Sequence, residues 1–137
     1  MSTPIILVAI DFSQSSHAAL AWAVAQARGK EVALHLVHVV EELPGLPAAR
    51  RRAEADTKAL FDSCVTTGLA AVTPHVRYGH PVRSILAIAR DLGAELLVVG
   101  SHGHTGLERV LVGSVAERLV RLADCPVVVV KAPLRAP

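Results

Sequence analysis

Gly100, Gly103, Gly113 and Ser114 carry the spacing that most directly suggests chemistry: glycine, two residues, glycine, nine residues, then glycine and serine. Just before them, Leu96-Leu97-Val98-Val99 is wholly apolar, the pattern of a buried strand. Just after them, Val115, Ala116, Leu119, Val120 and Leu122 recur at helical spacing. A strand, a loop punctuated by glycine and then a helix is how backbone amides are aimed at a phosphate. Glycine allows the left-handed dihedrals and the close ligand approach that such a loop needs. Ser114 falls at the helix entrance, where unpaired amides and the helix dipole favour an anion.

The loop has no Walker-type lysine, and its glycines do not follow the dinucleotide fingerprint. Phosphate binding would therefore rest on backbone amides, with help from Ser101, Ser114 and Arg109. Such a site offers no acid, base or metal clamp, so any ATP hydrolysis is expected to be slow. The competing reading is structural: Gly100 ends a strand, and Gly113 lets a helix pack close to the sheet.

Apolar runs alternate with helical patterns along the rest of the chain. Ile5 to Ile10 is an unbroken branched run, the mark of a strand covered on both faces. Ser13 or Ser15 can cap the next helix, which carries Ala19, Trp22, Ala23 and Gln26 and stops near Gly29. A second strand is predicted from about Val32 to Val40, followed by a Pro44, Gly45, Pro47 loop. A long helix from near Ala48 to Thr67, ended by Gly68, comes next, with a charged and solvated start. Val72 to Tyr78 reads as a third strand, placed at an edge by Pro74. Gly79-His80-Pro81 turns the chain into a helix with an Ile85, Leu86, Ile88, Ala89 face. Glu95 to Val99 and Val127 to Val130 supply strands four and five. Strands alternating with helices imply an α/β fold with a parallel sheet and right-handed crossovers.

The spaced glycines resemble those of the universal stress protein family, whose nucleotide-binding members carry the same pattern ending in glycine and Ser or Thr. Gly100, Gly103, Gly113 and Ser114 match it without a gap. The resemblance extends from Val8-Ala9-Ile10-Asp11 to Pro126-Val127-Val128-Val129-Val130, essentially the whole length, as a single domain over residues 1–137. It implies a Rossmann-like three-layer sandwich around a five-stranded parallel sheet of order 3-2-1-4-5. In such sheets ligands bind outside the carboxyl ends of the strands where the order reverses, here between strands one and four.

That rule sets Asp11 beside Gly100. In nucleotide-binding relatives the matching aspartate accepts hydrogen bonds from the ligand, either ribose hydroxyls or an adenine amine. The alternative is a carboxylate that caps its own turn. Phe12 departs from the glycine that relatives often carry, which would narrow the entrance. The resemblance also implies that backbone groups of Val39 read the adenine edge, with Gly113, Ser114 and Val115 opening the helix beside the phosphates. Glu41 and Glu42 read as a solvated loop start.

Seven histidines invite a metal reading, and His102 and His104 flank Gly103. They would need a convergent third ligand, such as Asp11 or His80, and alternate loop residues tend to face opposite ways. His35 and His38 have opposite strand parity and cannot share a face. Mg²⁺ carried in by nucleotide phosphates is the more economical expectation. No Ser-His-Asp arrangement is arguable from spacing. Cys64 and Cys125 form no redox or metal motif, which fits a reducing compartment.

Composition narrows the partners. Aromatic residues make up 3% of the chain, too few for a base-stacking nucleic-acid module. A net charge of +2 is too small to imply nucleic acid or an anionic membrane surface. No apolar run approaches the roughly 20 residues of a membrane span. Met1-Ser2-Thr3-Pro4 leads straight into a strand without a signal-peptide pattern, so a cytoplasmic location is expected. Val127 to Val130, uncharged until Lys131, would be an edge strand able to pair with its copy across a homodimer. The tail from Ala132 to Pro137 is the alternative cover for that edge. The sequence thus points to a regulatory or stress-response module that binds ATP or another adenine nucleotide. An interaction module without nucleotide and a slow ATPase are the alternatives.

Overall fold

A computed structural model describes residues 3–41, 47–65, 71–102 and 113–132. Five strands, β1 (Ile5–Ala9), β2 (Ala33–Val40), β3 (Ala71–Tyr78), β4 (Leu96–Gly100) and β5 (Val127–Val130), alternate with four helices. The helices are α1 (Gln14–Ala27), α2 (Pro47–Val65), α3 (Pro81–Leu92) and α4 (Ser114–Leu122). All strand pairs are parallel, in the order β3-β2-β1-β4-β5. The expected fold class and strand order are those observed.

Strand parity builds the layers, because successive side chains point to opposite faces. Ile6, Val8, Ile10, Leu34, Leu36 and Val98 pack with Ala19, Leu20 and Ala23 of α1, and Leu60 of α2 joins them. Leu7, Ala9, Val37, Leu97 and Val99 face the other way, onto Val82, Ile85 and Ile88 of α3 and Ala116 and Leu119 of α4. The continuous apolar runs of β1 and β4 follow from this cover on both faces. Leu7, Leu34, Leu36, Leu97 and Leu119 are all but inaccessible, and each contributes about 1.5–3 kcal/mol of transfer energy.

Local chemistry fixes the boundaries. Ser13 caps α1 by accepting from the Ser16 amide at 3.2 Å. Ser15, the other candidate cap, sits one residue inside the helix and serves the site instead. Pro81 opens α3, where its missing N–H costs nothing, and Gly93 closes it in the left-handed region at φ 65°. β3 lies at the edge, so Pro74 within it takes no ladder bond from an interior neighbour. β4 runs one residue further than the sequence pattern suggests and takes in Gly100. The predicted α2 end at Thr67 and Gly68 lies outside the described residues. Among the described residues no helix is long and apolar enough to cross a membrane.

Candidate functional site

Two turns meet where the strand order reverses between β1 and β4. The first is Asp11-Phe12-Ser13. Asp11 Oδ1 accepts from the Ser13 amide at 2.9 Å, so the carboxylate does brace its own turn. Phe12 holds a left-handed backbone at φ 65°. That explains why a glycine is at home at this position: only residues without a Cβ enter this region without cost.

The second turn, Gly100-Ser101-His102, is stitched to the start of α1. The Ser15 hydroxyl accepts from the His102 amide at 3.1 Å and donates to the His102 carbonyl at 2.5 Å. Ser13 Oγ donates to the same carbonyl at 3.1 Å. Ser101 is 1% exposed. Its amide donates to Val130 O at 2.9 Å, and its hydroxyl lies 2.9 Å from His102 Nδ1. Its carbonyl accepts from the Gly113 amide at 2.5 Å, which brings the start of α4 back against the end of β4. The N-cap of α4 is Gly113, which has no side chain with which to cap the first-turn amides. Ser114 is exposed at that entrance, whereas the Val115 side chain packs into the α3–α4 core. Gly103 and Arg109 lie outside the described residues, as does Glu42.

Gly100 has a structural duty. A Cβ there would meet Ser15 Oγ at 2.5 Å, Ser15 C at 2.6 Å and Ser16 N at 2.7 Å. The glycine lets the amino end of α1 sit directly on the end of β4.

Val39 presents backbone rather than side chain. Val37 O accepts from Ile10 N–H on the β1 side, and Val40 O accepts from Gly79 N–H on the β3 side. Alternation turns the amide and carbonyl of Val39 towards β1, just past the point where the β1–β2 ladder ends at Ala9 and Val37. Its side chain joins the α3–α4 core.

Beside Asp11 opens a cleft of about 550 Å³, lined by Phe12, His38 and Val40 on the sheet side and Ala48, Arg52, Ala53 and Asp56 of α2 opposite. That volume suits a small organic ligand. Its walls are largely apolar, and two carboxylates against one guanidinium make it a poor home for phosphates. His38 Nδ1 lies 2.7 Å from the Ile10 carbonyl, and the Phe12 ring packs edge-on against the imidazole with centroids 4.8 Å apart. The outer end of α2 is tied to β3 by the Tyr78 hydroxyl, which donates to Glu54, and by Arg50 stacked 4.3 Å over the Tyr78 ring. The parity of β2 is enough to separate His38 from His35. The α2 wall is not legible in sequence, because nothing local says where that helix returns.

The other histidines lie apart from the cleft. His35 and His75 form a stacked pair across β2 and β3, with Nδ1 and Nε2 2.8 Å apart. Burial lowers both pKa values; His35 and Arg77 lower that of His75 further. Among the described residues no three His, Cys, Asp or Glu side chains gather to hold a metal. Burial first, and the Asp124 carboxylate second, push the Cys125 thiol up, which keeps it protonated and unreactive. The Cys64 side chain lies outside those described.

Residues 3–131 match the family model described as the universal stress protein family. Universal stress protein A homolog 1 of Coxiella burnetii is 32% identical over 136 residues, covering 91% of this chain and 94% of its own. The solved structure of protein MJ0577 of Methanocaldococcus jannaschii superposes with a TM-score of 0.85 at 27% identity, over 98% of this chain and all of that one. A universal stress protein from Archaeoglobus fulgidus, solved in complex with dAMP, shares the fold with a TM-score of 0.73 at 24% identity, over 95% and 98% of the two chains.

Proposed function

Since the chain belongs to the universal stress protein family, we propose that it is a cytoplasmic regulatory module that binds ATP or another adenine nucleotide at the crevice between β1 and β4. One observation carries the reading: the Gly113 amide closes on the Ser101 carbonyl. This returns the start of α4 to the end of β4, the neighbour in the sheet of the strand that leads into Asp11. Phosphates then meet the first-turn amides of Ser114 and Val115, while the acidic, largely apolar cleft beside Asp11 takes base and ribose. Asp11 accepts from a ribose hydroxyl. The dAMP complex of the Archaeoglobus relative supports an adenine ligand on this fold. Mg²⁺ would arrive with the phosphates and need few protein ligands.

The test is a thermal melt with and without millimolar Mg-ATP, beside Gly113→Val. Gly113 has φ −70° and ψ 165°, so valine fits the backbone there and adds bulk at the entrance of α4. Ligand at 100 times its dissociation constant adds about 2.7 kcal/mol to wild type and should add little to the variant. Equal and null responses to ATP, ADP and AMP would leave the loop a structural one.

We further propose a homodimer through β5. All four of its valines are half-buried, it forms the sheet edge opposite β3, and α4 beside it exposes 52% of Val120 and 54% of Leu122.

A further inference from the structure

The last rung of the β1–β2 ladder is the Ile10 amide donating to the Val37 carbonyl at 2.8 Å. In a parallel ladder the next rung would be the Val39 amide donating to the Ile10 carbonyl. That carbonyl is taken instead by His38 Nδ1 at 2.7 Å, and β1 ends at Ala9. A carbonyl only accepts, so Nδ1 carries the proton; the partner fixes the tautomer. The Phe12 ring, held by its left-handed backbone, closes on the imidazole and limits its rotation. Phe12 also touches His17 of α1 at 6.4 Å between ring centroids.

We infer that His38 is a positioning residue for base recognition: by occupying the Ile10 carbonyl it stops the ladder and reserves the Val39 amide for the edge of a bound nucleobase. The inference rests on the adenine-nucleotide reading above and adds the device that keeps the backbone donor available. The His38 imidazole lines the same cleft as Asp11, so donor, cleft and carboxylate are set by one side-chain choice on β2. With no side-chain donor at position 38, the Val39 amide has the Ile10 carbonyl to return to, and the base loses its partner. A nucleobase acceptor nitrogen is the chemistry that fits a backbone N–H at the rim of an apolar cleft.

The experiment compares AMP with ribose 5-phosphate by titration calorimetry, which isolates the contribution of the base. Wild type should bind AMP at least tenfold tighter than ribose 5-phosphate. His38→Asn keeps a donor at the Nδ1 position and should retain that ratio. His38→Leu should lose most of it. Amide hydrogen exchange on the unmodified protein gives a readout that does not depend on a variant folding. The Val39 amide should exchange freely without ligand and slow at least tenfold with AMP. A wild-type ratio in His38→Leu, or a Val39 amide already protected without ligand, would overturn the role of His38 while leaving nucleotide binding intact. A wild type that binds neither AMP nor ATP would overturn both.

Discussion

Ser15 Oγ lies 2.5 Å from where a Cβ on Gly100 would be, with Ser15 C at 2.6 Å and Ser16 N at 2.7 Å. The same hydroxyl clamps both backbone groups of His102. One serine therefore joins the two turns of the site, and one glycine makes room for it. The Gly100→Ala variant forces helix backbone away from the end of β4, because the blocking atoms are not merely a flexible side-chain tip. Overpacking of this kind costs about 1–3 kcal/mol, and without any ligand the melting temperature should fall by several degrees. An unchanged melt would show that α1 shifts freely and that Gly100 is kept for ligand approach alone.

Phe12 allows the backbone cost to be separated from the ring. At φ 65° an L-residue sits roughly 1–2 kcal/mol above its right-handed alternatives. Phe12→Ala loses the packing on His38 and keeps that cost, whereas Phe12→Gly loses the packing and removes it. In most positions glycine is less stable than alanine by about 0.5–1 kcal/mol. Here denaturant titration should find the order reversed, with Phe12→Gly the more stable of the two.

The residues at the two turns illustrate how much of this was legible beforehand. Asp11 and Gly100 end up at adjoining strand ends because apolar runs locate strand ends well and the family resemblance supplies the order. The edge position of Pro74 follows from one missing N–H. Three things were out of reach for a shared reason: each depends on where a distant element lands. The helix that makes Gly100 necessary comes from Ser15, 85 positions earlier in the sequence. The α2 wall of the cleft comes from Ala48, Arg52, Ala53 and Asp56. The direction of the Val39 amide depends on register, since a shift of one residue would turn it towards β3.

Register also creates the His35–His75 pair, and the pair should be visible in the pH dependence of stability. His35 stands opposite Thr73 and Val37 opposite His75, so the two imidazoles meet on the diagonal with one proton between their facing nitrogens. Burial lowers both pKa values in the folded state; His35 and Arg77 add to the lowering at His75. An unfolded histidine titrates near 6.5. Between that value and the lower folded values the unfolded chain binds more protons, so stability declines as pH falls through this window. Above about pH 7 the contribution is complete, and below the folded pKa values the decline levels off. Urea midpoints measured from pH 8 to pH 5 should therefore fall. In His75→Gln the fall should be smaller, since one of the depressed groups is gone.

The proposed dimer has a test that the ladder geometry makes selective. Pro126 O accepts from Leu97 N–H and Val130 O accepts from Ser101 N–H, so the backbone groups of Pro126, Val128 and Val130 face β4. Those of Val127 and Val129 face outward, along the edge that a second copy would pair with. Proline at 129 removes an outward N–H while leaving every bond to β4 in place, the circumstance in which an edge strand accepts it. Val129→Pro should thus melt close to wild type at high dilution but sediment as a monomer at concentrations where wild type is a dimer. Val128→Pro, which removes an inward N–H, should lose stability at any concentration. If Val129→Pro remained a dimer, the β5 edge would not be the contact, and the exposed Val120 and Leu122 of α4 would be the surface to probe next.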